Sequence, residues 1–132
     1  MQATGTFDVK VTPAETPALA QEAGLGIFTL DKMFSGELEG SSKGEMLTGS
    51  TEATGAMAYV AIERVTGKLK GRSGSFLLMH NAWMLKSNPS SGAMQVMVVP
   101  HSGTDDLAGL SGKMTITIES GKHNYTFEYD WQ

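Results

Sequence analysis

Ala58–Leu85, AYVAIERVTGKLKGRSGSFLLMHNAWML, decides the fold. It reads as two long strands joined by a tight turn. Side chains alternate between the two faces of a strand. In the first strand, Ala53–Lys68, one face therefore carries Met57, Tyr59, Ala61 and Glu63, and the other carries Ala58, Val60, Ile62 and Arg64. In the second, Gly74–Leu85, Phe76, Leu78, His80, Ala82 and Met84 line one side and Leu77, Met79, Trp83 and Leu85 the other. A strand that is apolar on both faces needs cover on both. In a small barrel the lumen covers one. Leu77, Met79, Trp83 and Leu85 are then expected to meet a covering loop or a second copy in a homo-oligomer. A two-residue loop at Leu69-Lys70 would set Tyr59 opposite His80 and Glu63 opposite Phe76. A slip of one residue would send them to opposite faces.

The rest of the chain repeats the period of two. Thr4–Thr12 places Phe7, Val9 and Val11 on one face. Leu25–Ser35 has Phe28, Leu30, Lys32 and Phe34 as its better core face. Glu37–Ser50 is a more polar strand in which Leu38, Met46 and Leu47 share a side only with a bulge. Ala93–Val99 is apolar on both sides, and Leu110–Glu119 turns Met114, Ile116 and Ile118 one way. Lys122–Trp131 alternates most cleanly, with His123, Tyr125, Phe127, Tyr129 and Trp131 inward. Pro13–Gly24 breaks the pattern, and Thr16 with Pro17 can open a short helix there. Asn88–Gly92 and Ser120-Gly121 read as turns. Eight strands with short links point to closure, since an open sheet leaves two exposed edges. The expected fold is all-β, a closed eight-stranded antiparallel barrel forming a single domain over residues 1–132.

Composition removes several functions. The chain has no cysteine, so disulfides, thiolate nucleophiles and zinc–thiolate sites are absent. Its net charge is −4, with the ten basic residues scattered, so no surface is built to neutralise nucleic-acid phosphates. The N-terminus lacks the pattern of a signal peptide, and no apolar run is long enough to span a membrane. A cytoplasmic location is expected. The three histidines lie far apart in sequence, so no metal site and no cofactor is expected. The nine methionines read as flexible core filling.

The candidate chemistry lies on the inward faces. Glu63, between apolar neighbours, is either a desolvated general acid or ligand anchor, or one half of a salt bridge with Arg64 or Arg72. His80 can transfer protons near neutral pH, or is a core histidine bonded to Tyr59 or to a carbonyl. Tyr125 and Tyr129 bring aromatic bodies with polar tips, suited to a ligand cavity or to plain core. Glu63 and His80 are thus the candidate catalytic residues, and Tyr59, Glu63, Arg72, His80 and Tyr125 the candidate ligand-binding set. The loop His101–Gly109 is either a lid over one barrel end or a structural loop packed by Leu107 and Leu110.

Four segments carry a family resemblance: Phe34–Leu47 (FSGELEGSSKGEML), Glu63–His80 (ERVTGKLKGRSGSFLLMH), Val98–Ile116 (VVPHSGTDDLAGLSGKMTI) and His123–Trp131 (HNYTFEYDW). Together they make the chain resemble an uncharacterised bacterial domain family with an allene-oxide-cyclase-like barrel. The resemblance implies an eight-stranded barrel with a lumen and an outward apolar strand that serves as an interface. Plant relatives of that fold cyclise a fatty-acid epoxide in the lumen and assemble as oligomers. No residue here matches their catalytic glutamate by motif, so that reaction is not carried over. Three functions remain: a barrel binding a small apolar molecule, a cofactor-free isomerase or cyclase, and an assembly module with a filled barrel.

Overall fold

The computed structural model describes residues 1–132. Eight strands follow one another: β1 (Gln2–Pro13), β2 (Leu25–Gly36), β3 (Leu38–Thr51), β4 (Ala56–Leu69), β5 (Arg72–Leu85), β6 (Asn88–Val98), β7 (Leu110–Glu119) and β8 (Lys122–Trp131). Each pairs antiparallel with the next, and β8 returns to β1, so the sheet closes into a barrel with no free edge. The expected fold class is therefore the observed one. A short helix, α1 (Ala18–Glu22), lies between β1 and β2, and a single 3₁₀ turn, Asp105–Leu107, lies between β6 and β7. Thr16 does not cap α1; Pro17 holds the cap position, and the Thr16 hydroxyl turns back to the Ala14 carbonyl at 3.5 Å.

The central hairpin forms with a two-residue loop, one step further along than expected. The loop is Lys70-Gly71, closed by the pair Leu69↔Arg72, with φ of 47° and 87° at its two residues. Two successive positive φ values are the signature of the hairpin turn whose twist matches the strands. Glycine satisfies the second position without strain; the residue before it does not decide the turn by type. The register therefore moves by two: Tyr59 pairs with Ala82, Ala61 with His80 and Glu63 with Leu78. A shift of two keeps every side chain on its face, so Tyr59, Glu63 and His80 still point into the lumen. The turn between β5 and β6 is Lys86-Ser87, ahead of the expected Asn88–Gly92, and β6 already begins at Asn88. β3 pairs with β2 and β4 without a bulge; Leu38 is fully buried, while Leu47 faces outward and is 39% exposed.

The lumen is filled at one end. Leu38, Val65, Leu69, Phe76, Leu78, Leu110, Tyr125 and Phe127 pack there, joined by Leu107 from the loop before β7. That loop is the structural one: Thr104 donates its amide to the Ser75 carbonyl at 2.9 Å, and Ser102 accepts the Leu77 amide through its hydroxyl at 3.0 Å. Loop and β5 thus pair along the edge that β6 leaves uncovered, and Leu107 seals the end. At the opposite end the inward side chains spread apart. Val11, Phe28, Met46, Met57, Ala82 and Met94 surround an open apolar concavity of about 790 Å³.

Candidate functional site

A buried polar chain lies where the filled half meets the open half. β4 presents three inward residues in succession: Tyr59 towards the mouth, then Ala61, then Glu63 at 1% exposure. β5 places His80 beside Ala61, which is small enough to leave room for the ring. The Tyr59 hydroxyl lies 3.1 Å from Nδ1 of His80. Nε2 of His80 lies 2.8 Å from Oε2 of Glu63. The Lys32 ammonium, from β2, donates to the same Oε2 at 2.9 Å. The Ser42 hydroxyl, from β3, donates to Oε1 at 2.6 Å. Four neighbouring strands therefore converge on one carboxylate, and no buried side-chain polar atom is left without a partner. Lys32 and His80 are nearly as enclosed as Glu63, at 5% and 6% exposure. The Lys32 ammonium also rides 4.8 Å above the Phe7 ring, a cation–π contact that compensates its burial in part.

The electrostatics of the cluster are decided at Glu63. Burial alone would raise its pKa. The His80 hydrogen bond, the Lys32 charge and the Ser42 hydroxyl outweigh burial and hold it at about 2. The carboxylate is thus ionised and has no proton to give. The bond to His80 must then run from Nε2–H to Glu63. In a neutral imidazole this leaves Nδ1 as an acceptor, and the Tyr59 O–H donates to it. Tyr59 is itself held protonated, its pKa raised by burial and by the Glu63 charge. With the ring neutral the chain reads Tyr59 → His80 → Glu63, every proton pointing inward, and of the three only Tyr59 lines the open concavity.

Three of the candidate residues come together: Tyr59, Glu63 and His80. Two lie elsewhere. Arg72, at the start of β5, is exposed and stacks its guanidinium 4.3 Å from the Trp131 ring. The charged partner of Glu63 is Lys32, neither Arg64 nor Arg72. Tyr125 stands in the filled half, where its hydroxyl accepts from the Leu38 amide and bonds the Leu38 and Ser35 carbonyls at 2.9 and 3.1 Å. All its capacity goes to the protein. A side chain at Gly5 would collide with this hydroxyl, so the bare backbone of β1 is what admits it.

Sequence reasoning missed Lys32 and Ser42 as members of the site. Lys32 left a signal: a single charge in the inward row Phe28, Leu30, Phe34 has to find a carboxylate. Ser42 left none, because its orientation depends on the register of a glycine-broken strand.

No curated protein matches the chain. Among solved structures, a protein of unknown function from Shewanella oneidensis is similar over 100% of this chain and 98% of its own, with 46% identity and a TM-score of 0.89. The model of a family described as proteins of unknown function, DUF3224, matches residues 3–129. With that match taking in all eight strands of the barrel, the chain belongs to the DUF3224 family.

Proposed function

We propose that the barrel binds a small, predominantly apolar molecule in its open half and orients it through Tyr59. One observation carries the reading: the apolar concavity of about 790 Å³ is lined by Tyr59, whose hydroxyl is bonded to a buried relay. Ligand sites are commonly made this way, with apolar walls and a few convergent polar groups. Four methionines on the wall, Met46, Met57, Met84 and Met94, suit a ligand of irregular shape. The allene-oxide-cyclase-like resemblance of the sequence belongs to the same proposal, as a lumen that receives an apolar guest, acting in the cytoplasm. N-phenyl-1-naphthylamine tests it. The dye's emission should rise on saturable binding to one site, and Met57→Asp should abolish the rise. Met57 is 42% exposed, so the new carboxylate stays hydrated and the fold is kept. Absence of saturable binding, or binding indifferent to Met57→Asp, removes the proposal.

A second reading follows from the relay itself. Tyrosine, histidine and glutamate in series are suited to moving a proton, which supports a cofactor-free isomerase acting on the bound molecule. Tyr59→Phe should then end turnover while ligand binding persists. A third feature concerns assembly: the outer face of β4 and β5 carries Val60, Ile62 and Trp83 at 55%, 57% and 50% exposure, beside Leu77, Met79 and Leu85. We propose that a second copy of the chain covers it.

A further inference from the structure

The direction of the hydrogen bonds in the relay restricts what can bind. Resting on the apolar-ligand reading above, we infer that, while the His80 ring is neutral, the floor of the barrel mouth is a hydrogen-bond acceptor, selecting apolar molecules that end in a donor, an O–H or N–H, over those that end in an ether or ketone. Glu63 receives three donors, from Lys32, Ser42 and His80, and returns none. A neutral His80 uses its one proton at Nε2 on Glu63 and can only accept at Nδ1. Tyr59 uses its one proton on that Nδ1. What the Tyr59 oxygen can offer a ligand in the concavity that this residue lines is therefore a lone pair. A ligand hydroxyl completes the series by donating to it. A ligand ether or carbonyl would set oxygen against oxygen with no proton between them, leaving both desolvated and unpaired.

The arrangement reverses when His80 takes a second proton. Nδ1–H then donates to Tyr59, the Tyr59 O–H is released towards the concavity, and the floor becomes a donor. No other group can perform this exchange. The titratable or charged groups facing His80 are Tyr59 and Glu63 of β4 and, across Glu63, Lys32 of β2. β3 contributes only the Ser42 hydroxyl, and the inward partner of His80 on β6 is Val96. Of β1 and β8, Phe7 and His123 pack on each other rather than on His80. Glu63, held ionised, keeps its acceptor role through the change.

A matched pair of probes reads this directly: 2-naphthol and 2-methoxynaphthalene, alike in shape and uncharged, differing in one donor. With the wild-type protein at a pH where the His80 ring is neutral by its nitrogen chemical shifts, 2-naphthol should bind about tenfold tighter. Plain partition into an apolar cup would favour the less polar methoxy compound, so the sign of the preference is informative. Tyr59→Phe should remove the preference for 2-naphthol, leaving the order that plain partition gives. Protonation of His80 should shrink or invert it. Equal affinities in the wild type, a preference for 2-methoxynaphthalene at neutral His80, or a preference that survives in Tyr59→Phe would overturn the inference while leaving the apolar-ligand reading in place. Failure of both probes to bind would remove that reading and this inference with it.

Discussion

Glu63 and Lys32 are a buried pair that neither partner can leave. Two ions taken from water cost several kcal/mol each, recovered only through their mutual attraction and full hydrogen bonding. Glu63→Gln keeps the shape but leaves the Lys32 ammonium without a counter-charge, 5% exposed. It should cost about 3–5 kcal/mol in denaturant unfolding. Lys32→Met should cost less than that, because His80 and Ser42 still donate to the carboxylate. The double variant should be more stable than the sum of the two losses, since it removes both charges at once. Additive losses would mean that the pair is not coupled. The pH dependence has one sign. The folded-state pKa of Glu63, about 2, lies below its ordinary value of 4.5. Its contribution is therefore present above about 4.5 and is lost as pH falls towards 2, where protonation favours the unfolded chain, a loss of roughly 3 kcal/mol. Stability measured between pH 5 and pH 2 should fall steeply in the wild type and more gently in Glu63→Gln. Parallel curves would argue against a depressed Glu63 pKa. At this scale the site was half legible. Alternation alone put Tyr59, Glu63 and His80 on inward faces, but pairing partners come from other strands, and a single strand's pattern carries no record of which neighbour meets it.

The β4–β5 hairpin shows the same division at the scale of an element. Two-fold periodicity told inside from outside correctly along both strands, because burial selects for it at every residue. The register was read two residues off, because the loop could be placed at either of two adjacent dipeptides and both preserve the faces. The observed loop, Lys70-Gly71, is fixed by backbone conformation: both residues have positive φ, and Gly71 has no neighbour within 4 Å of where a Cβ would stand. Gly71→Ala therefore tests backbone strain without steric collision. It should lower stability by about 1 kcal/mol, with an unchanged denaturant slope. Lys70→Asn should be tolerated better than Gly71→Ala, since asparagine accepts the left-handed conformation. A neutral Gly71→Ala would mean that the turn relaxes to another type. β3 was the hardest strand to read for a related reason. Gly40 and Gly44 remove the side chains that would declare a face, and only their partners on the neighbouring strands, Phe34 and Leu30 on β2 and Gly67 and Glu63 on β4, place them.

The barrel as a whole leaves much apolar surface outside. A closed sheet has two faces, and here only 22 of 132 residues are buried, nearly all of them on the inner one. The outward side chains form rows across strands: Ile27, Leu47 and Val60 face one another on β2, β3 and β4, and Ile62 and Met79 do so on β4 and β5. The expected interface on β5 is therefore one border of a wider patch whose centre is β4. Monomeric proteins seldom expose contiguous apolar areas beyond a few hundred Å². A two-fold axis over β4 would bring Val60 and Ile62 against their own copies, so one patch supplies both sides of the contact. Sedimentation at tens of micromolar should give a species near twice the chain mass of 14.0 kDa. Val60→Lys combined with Ile62→Lys should return it to the monomer. Both positions face water in the isolated barrel, at 55% and 57% exposure, so the dye site in the mouth should remain intact. A species of 14.0 kDa throughout that concentration range would leave the outer face uncovered and remove self-association, while the relay and the open mouth on the inner face would stand unaffected.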